Sequence, residues 1–242
     1  MKTPAEPAVP PDATEATQAL QRGVALRQQG DLAGALACYR QSAELDPTQS
    51  AAHFNIGNVL YDQGQHELAH ASFLLALERQ ANFVEAWMQA ARCEVKLGRF
   101  AAARESFAQV LRLDSEHFSA WLEAGNLCRQ MGIAHQALAS YRNAVRSAPQ
   151  RWESRVALAR QLEDMGAWDE AAMNYHIALG AASARPGGVR DVHRLMARHR
   201  LERGDAARAL ESLRQALGIL RAEKPEADAN LQADLQIDLG EV

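Results

Sequence analysis

Residues 66–70 read His66-Glu67-Leu68-Ala69-His70, the only stretch of this chain whose residue types and spacing match a catalytic arrangement. Histidines at i and i+4 share one face of a helix, and a glutamate between them could serve as general base toward a zinc-bound water. A catalytic zinc needs three protein ligands and an open fourth position. No third ligand follows at a recognisable spacing, and the other histidines are dispersed. Cys38, Cys93 and Cys128 are odd in number and form no CxxC pair. They read as small, reduced core residues, which points to a cytoplasmic protein. Neither a phosphate-cradling glycine loop nor a nucleophile elbow is present. The HExxH match is therefore taken as an accident of spacing. The chain is expected to be non-enzymatic, with no catalytic residues, no metal and no cofactor.

The elements that would carry such residues are set by a period. Gly30, Gly64, Gly98, Gly132 and Gly166 follow one another at 34-residue intervals, and Gly204 comes 38 residues later. Five residues after each glycine stands alanine: Ala35, Ala69, Ala103, Ala137, Ala171 and Ala209. Four further on comes a ring or leucine: Tyr39, Phe73, Phe107, Tyr141, Tyr175 and Leu213. Seven residues before each glycine the residue is small: Gly23, Gly57, Ala91, Gly125, Ala159 and Ala197. His66, Glu67 and Ala69 fall in slots that the first repeat fills with Leu32, Ala33 and Ala35, so the zinc-like pentapeptide is one copy of a packing pattern.

A period of this length with these slots resembles the tetratricopeptide repeat, a helix–turn–helix unit of 34 residues. The array divides as 16–49, 50–83, 84–117, 118–151, 152–185 and 190–223, with 186–189 as an insertion. Repeats 2 and 4 match best, and repeats 1 and 6 depart most, with Arg22 and Arg200 in slots that are usually apolar. The resemblance implies an all-α, right-handed superhelical solenoid of six such repeats. The small residue lets helix B of a repeat approach helix A, and the alanine sits where the two cross. The ring lies one turn away on the same face, filling the space toward the next pair. Gly30 and its equivalents suit the left-handed residue that ends helix A. Pro47 and Pro149 stop helix B. Ala81, Ser115 and Ser183 replace that proline, so sharper definition is expected where proline stands.

In that family helix A lines a concave groove through positions 2, 5, 9, 12 and 13 of each repeat. Slot 5 here reads Leu20, Phe54, Met88, Leu122, Val156 and Arg194, and slot 9 reads Val24, Asn58, Arg92, Asn126, Arg160 and Arg198. Slots 12 and 13 add Tyr61, Lys96, Arg129, Glu163 and Asp164. The groove residues implied are Phe54, Asn58, Tyr61, Met88, Arg92, Leu122, Asn126, Arg129, Arg160 and Arg198. Amides of Asn58 and Asn126 can hold an extended backbone. Arg92 and Arg160 can fork onto carboxylates, and Phe54, Met88 and Leu122 can take apolar anchors. Glu153, Glu163, Asp191 and Glu202 are candidate partners for the same arginines. The carboxylate clamp of the chaperone-binding subclass is not reproduced: of Phe54, Asn58, Gln89, Ser119 and Glu123, only Asn58 fits. The implied function is a protein-interaction scaffold for a peptide or protein segment. The alternative is the substrate-recruiting part of a larger enzyme, such as an O-linked N-acetylglucosamine transferase-like glycosyltransferase. The asparagine ladder of that family is mostly missing from Gln21, Asn55, Gln89, Glu123, Ala157 and Leu195.

Composition and the ends add bounds. A net charge of −4 gives no general attraction to nucleic acid or anionic membrane. No apolar run approaches the ~20 residues that span a bilayer. Residues 1–15, with four prolines among the first 13, read as a disordered leader. Gly180 to Gly188 reads as a flexible joint before repeat 6. Residues 224–242, with Leu231, Leu235 and Leu239 at i, i+4 spacing, read as a C-terminal capping helix or the start of a further repeat ending in Leu239-Gly240. Exposed repeat edges would allow self-association.

Overall fold

The computed structural model describes residues 11–182 and 186–223. It contains twelve α-helices and no strand among the described residues. They fall into two compact units that divide after Ser115. The first holds α1 (Pro11–Gln28), α2 (Leu32–Leu45), α3 (Ser50–Asp62), α4 (His66–Arg79), α5 (Val84–Lys96) and α6 (Phe100–Leu113). The second holds α7 (Phe118–Gln130), α8 (Ala134–Ser147), α9 (Trp152–Asp164), α10 (Trp168–Ala182), α11 (Pro186–Glu202) and α12 (Ala206–Glu223). Each unit is three helix–turn–helix repeats. Odd-numbered helices are helix A of a repeat and even-numbered ones helix B. Within a unit, helix B also packs on the next helix A, as α2 on α3 and α8 on α9. No described helix is long and apolar enough to cross a membrane.

The turn between helices A and B is built the same way six times. Gly30, Gly64, Gly98, Gly132, Gly166 and Gly204 all have φ between 72° and 86°. In that left-handed region a Cβ is costly, which is why glycine recurs there. The residue after the glycine donates its N–H to the carbonyl five residues back: Gln65 to Leu60 (2.9 Å), Ile133 to Cys128 (2.8 Å), Asp205 to Arg200 (2.8 Å). This closes the end of helix A as a Schellman cap.

The recurring alanines are all fully buried. The rings of Phe73, Phe107, Tyr141 and Tyr175 are at most 1% exposed. Each such burial contributes about 2–3 kcal/mol. Rings and small residues meet directly. A Cβ on Gly57 would lie 2.6 Å from Phe73 Cε1, and one on Gly125 would lie 2.5 Å from Tyr141 Cε1. The ring thus packs onto helix A of its own repeat, and fills that space before any toward the next pair.

Three expectations about the connections change. α4 and α6, which lack the proline, end at Arg79 and Leu113, the same slot at which α2 and α8 end. Backbone bonds such as Gln80 N–H to Ala76 O (2.9 Å) and Asp114 N–H to Val110 O (2.8 Å) terminate these helices without proline. Trp87 Nε1 also donates to Ala81 O at 2.9 Å, fastening the turn after α4. Ser183 lies outside the described residues. Secondly, 186–189 is helix. α11 has 17 residues where α9 has 13, so the four inserted residues form one additional N-terminal turn. Pro186 takes the first helical position, where its missing N–H is harmless, and Gly188 is buried against Trp152. Gly180 to Ala182 belong to α10. The joint is therefore largely regular helix, with 183–185 outside the described residues. Thirdly, α1 starts at Pro11, so helix replaces the last five residues assigned to the leader. Residues 1–10 and 224–242, with the C-terminal helix expected there, lie outside the described residues.

Two substitutions separate the two kinds of constraint. Gly132→Ala has no neighbour within 4 Å of the added Cβ, so it should cost backbone strain alone, about 1–2 kcal/mol. Ala137→Leu, at a fully buried crossing, should overpack the core at about 1–3 kcal/mol. Urea unfolding of each variant measures both.

Candidate functional site

Slots 5, 9, 12 and 13 place ten candidate side chains on helices A, five in each unit. In the first unit they lie on α3 and α5. Phe54 is half-buried between Phe73 and Phe83, with ring centroids 5.7 and 4.8 Å away. Met88 is 5% exposed. Both side chains are used by the core, and Met88 offers almost no surface to an apolar anchor. Asn58 is also buried, at 9% exposure. Its Oδ1 accepts from Gln89 Nε2 at 3.3 Å, and Gln89 Oε1 accepts from Arg92 Nη1 at 3.3 Å. Asn58, Gln89 and Arg92 therefore form a relay from α3 to α5. Tyr61 is half-buried and tilts against His66 at 5.0 Å.

The same unit shows what the HExxH residues do. Glu67 pairs with Arg99 at 2.7 Å, and His70 Nε2 lies 3.0 Å from Glu94 Oε1. His66 meets Tyr61. The three side chains are each engaged separately, and no cluster of three metal-binding side chains occurs among the described residues. Cys93 and Cys128 are buried and Cys38 is half-buried, none of them in a disulfide among the described residues. Burial, reinforced by Glu94, pushes the Cys93 thiol up to about 12.

In the second unit the candidates lie on α7, α9 and α11 and are more open. Leu122 is half-buried against the core. Asn126 is exposed, and its Oδ1 accepts from Tyr141 O–H at 2.9 Å. The Tyr141 ring that packs on Gly125 thus also orients the neighbouring amide, leaving the amide N–H groups facing outward. Burial pushes the Tyr141 hydroxyl up to about 12, so it remains a donor. Arg129 Nε donates to Asp164 Oδ2 at 2.7 Å. Arg198 pairs with Glu202 at 3.3 Å and lies 3.9 Å from Glu163. Arg160 differs: it is half-buried, its Nε is buried without a hydrogen-bond partner, and no carboxylate pairs with it among the described residues.

Glu163 is not chiefly a partner for arginine. It is buried, accepts from Tyr175 O–H at 3.0 Å, and stands 2.7 Å from His199 Nδ1. Burial and this carboxylate together raise the Tyr175 hydroxyl. His199 in turn packs on Trp168 and Tyr175 at 5.8 and 5.7 Å. A second regularity links neighbouring repeats. Arg27 and Arg129 hold slot 12 of repeats 1 and 4, and pair at 2.8 and 2.7 Å with Asp62 and Asp164 in slot 13 of the next repeat.

The chain matches the TPR repeat family over residues 23–64 and tetratricopeptide repeat families over 50–83 and 88–151. With the helix pairs and recurring glycine turns, these matches establish that the chain belongs to the tetratricopeptide repeat family. Among solved structures it resembles the pilF protein of Pseudomonas aeruginosa, at 16% identity and TM-score 0.70, over 95% of this chain and 97% of that one. A tetratricopeptide repeat protein from Parabacteroides merdae is similar at 15% identity and TM-score 0.64, over 93% of this chain and 99% of that one. A third is YrrB, described as a TPR protein with an unusual peptide-binding site, at 21% identity and TM-score 0.59, over 81% of this chain and 97% of that one. These likenesses show the fold. No curated protein matches the sequence.

Burial separates the energetic weight of these contacts. Glu163→Ala leaves two buried partners unsatisfied and should cost about 1–3 kcal/mol, whereas Arg129→Ala, at an exposed pair, should stay within about 1 kcal/mol. Chemical denaturation of the two variants tests the ranking. A pH effect follows from His53 and His193, whose imidazoles burial holds below the usual histidine value. The unfolded chain then binds protons first as pH falls below about 6.5. Unfolding free energy should therefore be full above that pH and decrease from pH 7 to pH 5. Replacing both histidines by Gln should flatten that slope.

Proposed function

We propose that this chain is a non-enzymatic scaffold that binds a peptide or protein segment along its helix A surfaces, with the working site on α7, α9 and α11. The observation that carries this reading is the combination of an oriented, exposed Asn126 amide and an unpaired, half-buried Arg160. Amide donors suit an extended backbone whatever its side chains. A guanidinium without a counter-ion suits a carboxylate, and a charge-assisted bond there is stronger than a neutral one. Leu122 supplies partial apolar surface beside them, and Arg129 and Arg198 flank the pair from their own ion pairs. Because Tyr141 already holds Asn126, little receptor ordering accompanies binding. The first unit contributes less to this reading, since Asn58, Phe54 and Met88 are occupied by internal contacts and Arg92 by its relay through Gln89.

Binders selected from a random peptide display library against the full chain provide the test. Asn126→Ala combined with Arg160→Glu should weaken selected peptides by at least about 10–100-fold, since the lost charged bond of Arg160 alone is about 1.5–3 kcal/mol. The selected peptides should be enriched in Asp and Glu. Unchanged affinity in a variant of unchanged helical content would remove the site from α7 and α9.

A further inference from the structure

Arg200 sits in slot 11 of the sixth repeat, where the other five carry Leu26, Leu60, Glu94, Cys128 and Leu162. At 3.6 residues per turn it points about 200° away from Arg198, to the side of α11 that faces helices B. It is half-buried there. Its Nη1 donates to the Arg208 carbonyl at 3.0 Å and to Ser212 Oγ at 2.6 Å. No carboxylate pairs with it among the described residues, so the Nε and Nη2 edge of the guanidinium has no partner.

Two clefts meet at this side chain. One, of about 560 Å³, runs between α10 and the start of α12 and is lined by His176, His199, Arg200, Arg203 and Arg208, with Asp169 and Asp205. The other, of about 200 Å³, is lined by His176, His193, Arg200, Ser212 and Glu211 among others. The carboxylates of the larger cleft have other work. Asp205 accepts from the Arg208 backbone N–H at 3.1 Å and pairs with its side chain at 3.3 Å, and the fully exposed Asp169 lies 3.8 Å from Arg203. Glu211 is exposed and is not paired with Arg200. His193 is 8% exposed, and its Nδ1 has no hydrogen-bond partner. Burial, aided by the Arg200 charge, keeps this imidazole below its ordinary value, so at neutral pH it carries one N–H.

We propose that the cleft of α10, α11 and α12 is an oxyanion site for a phosphoryl group, held by Arg200 with Ser212, His193 and His176. The guanidinium edge alone satisfies the two oxygens of a carboxylate. Further donors on the same small cleft suit a group with three strong acceptor oxygens. The site is on the opposite side of α11 from Arg198, so it is independent of the peptide-binding reading above. A phosphorylated side chain of a partner and a free phosphate monoester share this chemistry.

Titration of the full chain at pH 7 with inorganic phosphate and with a phosphoserine peptide, followed by calorimetry, decides the matter. Wild type should bind phosphate saturably. Arg200→Leu should weaken it at least tenfold, and because leucine fills this slot in repeats 1, 2 and 5, the unfolding temperature should not fall. Glu211→Gln should bind more tightly than wild type. Tighter binding of the phosphoserine peptide than of phosphate, lost in Arg200→Leu, would assign a phosphorylated partner. Equal or weaker binding would assign a free phosphate compound. Absence of saturable binding to either probe, or equal affinity in Arg200→Leu and wild type, would overturn the site.

Discussion

Contact between a bulky side chain on helix B, a ring in five repeats and Leu213 in the sixth, and a residue without bulk on helix A holds each repeat together, and most other features are arranged around it. At Gly57 and Gly125 the ring occupies the volume that a Cβ would need. The fully buried alanine one turn earlier on helix B allows the two axes to come that close. Where the small residue is Ala91, Ala159 or Ala197, it too is fully buried, so the approach survives one methyl group and no more. Interiors at organic-crystal density leave no slack to absorb a larger group.

That packing also places polar atoms. Tyr141 and Tyr175 carry hydroxyls past the small residue along helix A, where they meet the exposed Asn126 and the buried Glu163. Repeat 2 has Phe73 in the same slot, and there Asn58 is held instead by Gln89 from the next helix A. A tyrosine in this slot can hold a polar side chain of its own repeat, as Tyr141 and Tyr175 do, whereas the buried Tyr39 hydroxyl has no hydrogen-bond partner among the described residues. Asn58 and Asn126 fill the same slot, yet the first is buried and the second exposed.

Fold was legible because its determinants repeat. Six glycines, six alanines and six bulky residues in register each report one backbone or packing requirement, and all were found meeting it. The candidate site was legible only as a set of slots. Whether a slot is open depends on which non-repeating residue lies opposite, as Phe83 does beside Phe54 and His199 beside Glu163. Met88 looked like its slot-mates and proved buried. The arginine–aspartate pairs of slots 12 and 13 left a readable signal, Arg27 with Asp62 and Arg129 with Asp164, because both partners recur. Proline was over-read: backbone bonding ends α4 and α6 at the same slot as the helices it follows.

The additional turn at the start of α11 has a consequence for how such a chain can change length. Four residues are close to one revolution of a helix, so the new turn lies directly above the old one and presents Gly188 and Val189 to Trp152 and the core. Two residues there would leave half a revolution and turn the same side outward. Length variation at this joint is therefore discrete, accommodated in whole revolutions that add stiff contour of about 1.5 Å per residue. A duplication that inserted any other number would have to be carried by non-helical chain.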